Sequence, residues 1–225
     1  MKKAINYTVW GPLSILLGLT LLFWLTDLDI AIQNLLYSPA DGWIWADSQP
    51  WKFLYSFGVL PAVSIAVLAV VVFIASCMSS KFKPYRKKAL FLVLLMALGP
   101  GLTVNLIFKD HWGRPRPREI TQFGDTETYL PVWCKGTAGQ GNSFPSGHAA
   151  MGFYLMAPFF ILRDRHRGWA TAFLTIGVGY GLLMGLGRMI QGGHFASDVL
   201  WSGGFIYICG LILNRIILRH RENLT

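Results

Sequence analysis

Six long runs without Asp, Glu, Lys or Arg dominate this chain: Val9–Thr26, Phe53–Met78, Ala89–Phe108, roughly Ser146–Leu162, Trp169–Gly187 and Val199–Asn214. A bilayer's hydrocarbon core is about 30 Å thick, and a helix needs about 20 apolar residues to cross it. Inside that medium the backbone must satisfy its own hydrogen bonds, which restricts spanning segments to helices and closed barrels. The runs therefore predict an all-α fold, a polytopic integral membrane protein with six transmembrane helices. The fourth and sixth are short unless they borrow polar flanks, Ser146 to His148 in one and Arg215 to Leu218 in the other. Pro61, Pro100 and Pro158 are expected to bend their helices, because proline removes a backbone donor.

Composition agrees. The 225 residues are 53% hydrophobic and 14% charged, whereas a soluble domain carries about 25% charged residues. The net charge of +9 sits in short clusters between the apolar runs, where the positive-inside tendency and anionic lipid account for it. Nucleic acid is not an expected partner. Cys77, Cys134 and Cys209 show neither a CxxC pair nor a metal-ligand spacing and are read as unpaired thiols. Lys2 and Lys3 before Val9–Thr26 mimic a signal peptide, but the run has spanning length and no small-residue cleavage site follows, so it reads as a retained first helix. No repeat or linker divides residues 1–225, which read as one domain.

Short loops give an orientation. Lys2 and Lys3; Lys81, Lys83, Arg86, Lys87 and Lys88; Arg163, Arg165 and Arg167; and Arg215, Arg219 and Arg221 fall on alternate loops, which places them, and both termini, in the cytoplasm. The opposite loop Asp27–Lys52, with four Asp and one Lys, agrees. In it, Leu28–Tyr37 reads as a short amphipathic helix, and Trp43, Trp45 and Trp51 as interfacial anchors. The loop Lys109–His148 is the exception: it is basic yet faces outward.

Three polar islands lie at the edges of the runs and, with six spans, reach one face. Lys109–Pro117, KDHWGRPRP, sets Lys109 and Arg116 seven residues apart, cations of the kind that hold phosphate oxygens. Its spacing selects those two and leaves Arg114 and Arg118 for headgroup or loop contacts. Ser143–His148, SFPSGH, puts Ser146 and Gly147 where a helix begins and His148 in its first turn, placed to pass a proton. Arg188–Asp198, RMIQGGHFASD, holds Arg188, His194 and Asp198; His194 and Asp198 are four apart, so on a helix the carboxylate orients the imidazole, and an oriented neutral imidazole can attack phosphorus. His111, His148, His194, Asp110 and Asp198 also suggest a metal site, but the neighbouring cations disfavour one. No metal or other cofactor is expected.

K-x6-RP, PSGH and R-x5-H-x3-D, in that order, resemble the type 2 phosphatidic acid phosphatase (PAP2) superfamily. The match covers Lys109 to Asp198, with a PAP2-like helical core implied around it. One residue departs: the family's third motif often begins Ser-Arg, and here Gly187 precedes Arg188. The resemblance implies a metal-independent lipid phosphatase of the bacterial inner membrane, its site facing the periplasm. By the same resemblance His194 forms a phosphohistidine, Asp198 supports it, His148 protonates the leaving oxygen, and Lys109, Arg116, Ser146, Gly147 and Arg188 bind the phosphoryl group. Phosphatidate, phosphatidylglycerophosphate, undecaprenyl pyrophosphate and the 1-phosphate of lipid A are the substrates it suggests. A lipid phosphotransferase on the same site, or a non-enzymatic anion or lipid transporter, are the alternatives. Residues 119–142 read as either a selectivity loop or an interfacial connector.

Overall fold

The computed structural model describes residues 2–218; Arg219 and Arg221, assigned above to a cytoplasmic cluster, lie outside them. The chain runs through α1 (Lys2–Leu25), α2 (Leu28–Asn34), α3 (Trp51–Phe57), α4 (Leu60–Met78), α5 (Arg86–Met96), α6 (Asp110–Trp112), α7 (Gly147–Phe153), α8 (Ala157–Leu162), α9 (Arg167–Ile190) and α10 (Ala196–Leu213). Five helical stretches are long and apolar enough to cross a membrane: those within Thr8–Leu25, Trp51–Met78, Ser80–Glu119, Arg167–Ile190 and Ala196–Leu218. The architecture is an all-α membrane-spanning bundle. The remaining predicted span, Gly147–Leu162, is helical but shorter than these.

Its position explains its length. Most residues from Gly147 to Phe160 are buried, and so is half of the spanning part of α10, whereas only 17% of the spanning parts of α1 and of α3–α4 is buried. The α7–α8 segment is thus a central strut jacketed by protein, and its length is released from the thickness of the hydrocarbon.

Each proline named above falls where α-geometry fails. Pro61 occupies the first turn of α4, after a break at Gly58 whose carbonyl accepts the Tyr180 hydroxyl at 2.9 Å. Pro158 opens α8 after a 3-10 turn at Tyr154–Met156. Pro100 lies in a π-helical stretch, Ala97–Lys109, which joins α5 to α6. There Thr103 and Asn105 send side-chain donors to the carbonyls of Leu98 and Pro100, each five residues back and at 2.7 Å. A π-helix widens the turn, and such turns gather at functional sites; this one delivers Lys109.

Glycines set the closeness of the centre. Gly177, Gly181 and Gly185 recur every fourth residue on α9 and face, in turn, the Met156 backbone, the Phe153 ring and Val199. Small residues at this spacing let membrane helices touch along their backbones. Above them, Phe108, Trp112, Trp133, Phe144, Trp201 and Phe205 pack ring to ring, with Trp133–Trp201 centroids 4.6 Å apart and Phe108–Phe205 centroids 4.7 Å apart. This cluster fastens the loop after α6 onto α10. At the opposite end Arg163 donates to Asn214 Oδ1 at 3.0 Å, and Asn214 donates to the Phe160 carbonyl at 2.7 Å. The three cysteines are free.

A methyl group on Gly177 would lie 2.2 Å from the Met156 backbone nitrogen, while one on Gly179 meets nothing within 4 Å. Gly177→Ala is therefore expected to cost about 1–3 kcal/mol through forced separation of α9 from the central strut. Thermal unfolding in detergent should show a lowered midpoint for Gly177→Ala and none for Gly179→Ala.

Candidate functional site

The three islands meet at one end of the bundle. Lys109 ends the π-helical stretch, Ser146 caps α7 by accepting the Ala149 N–H at 3.4 Å, Arg188 stands in the last turn of α9, His194 lies in the turn before α10, and Asp198 lies in the first turn of α10. Gly147 approaches so closely that a Cβ there would be 3.7 Å from Lys109 Nζ, and a Cβ on Gly193 would be 2.5 Å from Arg188 Nη2. The Tyr55 ring stacks on His148 with centroids 4.9 Å apart, and the Arg188 guanidinium lies 4.7 Å from that ring's centre. The Arg118 N–H donates to the Gly192 carbonyl at 3.1 Å, tying the first island to the third. Trp51, Tyr55, His148, Gly187 and Arg188 line one narrow crevice. The missing serine at Gly187 leaves a position whose Cβ would face the Trp51 indole at 3.5 Å.

His194 is buried, and its Nδ1 lies 2.5 Å from the Ser143 carbonyl oxygen. A carbonyl only accepts, so Nδ1 carries the proton and Nε2 keeps its lone pair. The sequence assigned the orienting role directly to Asp198. Instead Asp198 Oδ2 is 3.9 Å from Nδ1 and accepts from Ser143 Oγ at 2.6 Å and the Phe195 N–H at 2.7 Å. Four residues of spacing put the carboxylate on the right side of the ring, but Phe195 and Ser143 claim its oxygens first. Ser143 links the two, by its hydroxyl to Asp198 and by its carbonyl to His194.

Arg114 overturns its assignment to a headgroup or loop contact. Its side chain is 0% exposed. It donates to Asp198 Oδ1 at 2.5 Å, Asp29 Oδ2 at 2.8 Å, Ser197 Oγ at 2.9 Å and the Leu130 carbonyl at 2.9 Å. The physical reason is desolvation: two carboxylates in the protein interior require a cation, and the planar fork serves both. Asp29, absent from the sequence reading, also accepts the Ser197 N–H at 3.0 Å. Helix α2 is consequently no mere surface anchor, since Asp29 and Gln33 are both buried. Their i,i+4 spacing in the otherwise apolar LDIAIQN was the available signal. Tyr129 also faces Asp29, its O–H donating at 3.4 Å; burial, and then Asp29, raises its phenol well above the ordinary tyrosine range, so it stays a donor. Residues 119–142 are thus built into the site's underside through Tyr129 and Leu130.

Lys109, Arg116 and Arg188 lack, among the described residues, a carboxylate as close as those that meet Arg114. Among the described residues neither Lys109 nor Arg188 forms an ion pair, and Arg116 meets Glu119 only at 3.8 Å. The Nε atoms of Arg116 and Arg188 are buried without a hydrogen-bond partner, although Arg188 Nη1 donates to Gln191. Orphaned buried donors on converging cations are satisfied by an anion with several oxygens. Among the described residues no three His, Cys, Asp or Glu side chains assemble as a metal-binding set.

Comparison with known proteins gives a consistent picture. Residues 88–222 match the PAP2 superfamily. A lipid A 4'-phosphatase of Francisella tularensis subsp. novicida (strain U112) is 35% identical over 218 residues, covering 92% of this chain and 97% of that protein. Lipid A 4'-phosphatases of Rhizobium leguminosarum and Rhizobium etli are 28% and 29% identical over 132 and 131 residues, 57% of this chain in each case and 55% and 50% of theirs. No solved structure matches the chain significantly.

Burial, with Arg188, Lys109 and Arg116 adding to it against the opposing Ser143 hydrogen bond, holds the His194 imidazole well below the ordinary histidine range. The folded state then binds this proton more weakly than the unfolded chain. Stability from the group is complete above about pH 6.5 and is lost as pH falls below it. His194→Gln should therefore lose less thermal stability than the unsubstituted protein when pH is lowered from about 7 to about 5, as read by unfolding midpoints at each pH.

Proposed function

The chain belongs to the PAP2 superfamily, and from that premise we propose that it is a lipid phosphatase that removes the 4'-phosphate of lipid A. The observation that carries the reaction is the free Nε2 of a buried histidine beneath three under-neutralised cations. The 35% identity that extends over nearly the whole of the Francisella enzyme supports this substrate over the 1-phosphate and the non-lipid A candidates suggested by the motifs alone.

Lys109, Arg116 and Arg188, with Ser146 and the Gly147 N–H, bind the phosphoryl oxygens. His194 Nε2 attacks phosphorus in line, a nitrogen–phosphorus bond forms, and the ester oxygen leaves with a proton from His148. Developing positive charge on His194 is met by Asp198, 3.9 Å away, and by the Ser143 carbonyl. Water, deprotonated by His148, then displaces His194, returning the histidine and releasing inorganic phosphate. Little covalent chemistry falls to the protein in phosphoryl transfer, so placement and charge supply most of the rate. Every step uses residues of this chain, which supports a metal-independent reaction.

Counting the short strut Gly147–Leu162 with the five longer stretches gives six spans. An even count supports the reading in which both termini are cytoplasmic and the three islands reach the periplasmic side of a bacterial inner membrane; residues 1–225 are read as one catalytic domain. The basic loop between α6 and α7 faces outward because it supplies phosphate ligands and the buried Arg114.

The purified protein is expected to release inorganic phosphate from 4'-phosphorylated lipid A, with less or none from phosphatidate, phosphatidylglycerophosphate or undecaprenyl pyrophosphate. His194→Ala and Asp198→Asn should remain folded, with kcat lowered by about two or more orders of magnitude. Labelled phosphate appearing on an acceptor lipid instead of in solution would favour the transferase. Vanadate is expected to inhibit competitively, and activity should survive EDTA; loss in EDTA that added metal restores would overturn metal independence.

A further inference from the structure

Resting on the phosphatase reading, we propose that α2 is part of the catalytic machinery: Asp29 and Gln33 are positioning residues that hold His194 and the first turn of α10 in register with the phosphate.

Gln33 lies on the same face as Asp29 and is fully buried. Its Nε2 donates to the backbone carbonyl of His194 at 2.8 Å, across 161 residues of sequence. Asp29 binds the adjoining turn: Oδ1 accepts the Ser197 N–H at 3.0 Å, and Oδ2 accepts from Ser197 Oγ and from Arg114 Nη2. Arg114 then holds Asp198, and Asp198 holds Ser143, whose carbonyl fixes the His194 ring. One seven-residue helix thereby reaches His194 by two routes. The first acts directly on its backbone, and the second acts on its ring through Arg114, Asp198 and Ser143.

The amide itself argues against a purely packing role. Gln33 Oε1 is buried and finds no donor, so an apolar side chain of the same shape would spare an orphaned acceptor. What the amide supplies is its donor, and that donor meets the nucleophile's own carbonyl. A turn left free there lets Nε2 drift from the line of attack, and misplacement by about 1 Å costs on the order of a hundredfold in rate.

The decisive variant is Gln33→Met, close in shape and lacking only the polar atoms. With 4'-phosphorylated lipid A as substrate, kcat should fall roughly ten- to hundredfold while KM and the thermal midpoint stay unchanged. Asp29→Asn keeps an acceptor for Ser197 but removes a charge that faces the buried Arg114, so it should also lower the thermal midpoint; its kcat, read per folded molecule, should fall in the same direction. Because both work through His194, their losses are not additive with His194→Ala. A wild-type kcat in both variants overturns the proposal, as does a loss of kcat matched by an equal loss of folded protein. An activity-independent readout separates this idea from the functional reading. The 15N signals of His194 should report the Nδ1–H tautomer in the unsubstituted protein and a mixture in Gln33→Met. Failure of the unsubstituted protein to release phosphate removes the assigned reaction, whereas an unchanged tautomer in Gln33→Met removes the brace.

Discussion

One buried guanidinium holds the polar end of this bundle together. A lone charge cannot be carried into a protein interior, and removing one partner of a buried pair typically costs about 3–5 kcal/mol. Arg114 is acceptable there because Asp29, Asp198, Ser197 and the Leu130 carbonyl meet its donors together. Those partners come from the first loop, from α10 and from the second loop. The same contacts that neutralise the arginine therefore fold two long connections onto the helix that carries the site.

The consequence is a division of labour among charges. Arg114, Asp29 and Asp198 are dry and neutralise one another. Lys109, Arg116 and Arg188 are gathered at His194 and His148 without compensating carboxylates of comparable closeness. The first set is complete in itself, whereas the second leaves the buried Nε donors of Arg116 and Arg188 without hydrogen-bond partners. Had the two been mixed, carboxylates would have neutralised the second set as well.

Apolar runs made the helices legible, since length and absence of charge suffice to mark a membrane segment. The motif residues were legible too, because Lys109, Arg116, His148, Arg188, His194 and Asp198 are polar at the margins of those runs. What spacing cannot express is competition for hydrogen bonds. His194 and Asp198 stand four residues apart, yet Ser143 intervenes, because its carbonyl and hydroxyl match the two groups better than they match each other. Arg114 looks like any loop arginine until Asp29, 85 residues away in sequence, is known to face it. The length of a run also failed to reveal its station in the bundle. Gly147–Leu162 is short because it is the middle of the protein, and its neighbours, rather than lipid, cover its ends.

That shortness bears on how deep the polar end of the strut lies. Sixteen helical residues at about 1.5 Å each rise about 24 Å, against roughly 30 Å of hydrocarbon. If its far end lies level with the other helices, the end that carries Ser146 and His148 stops about 6 Å below the lipid boundary. That end of the strut, with Ser146 buried and His148 half-buried, is walled by protein, so whatever reaches these side chains meets the bundle before it meets lipid.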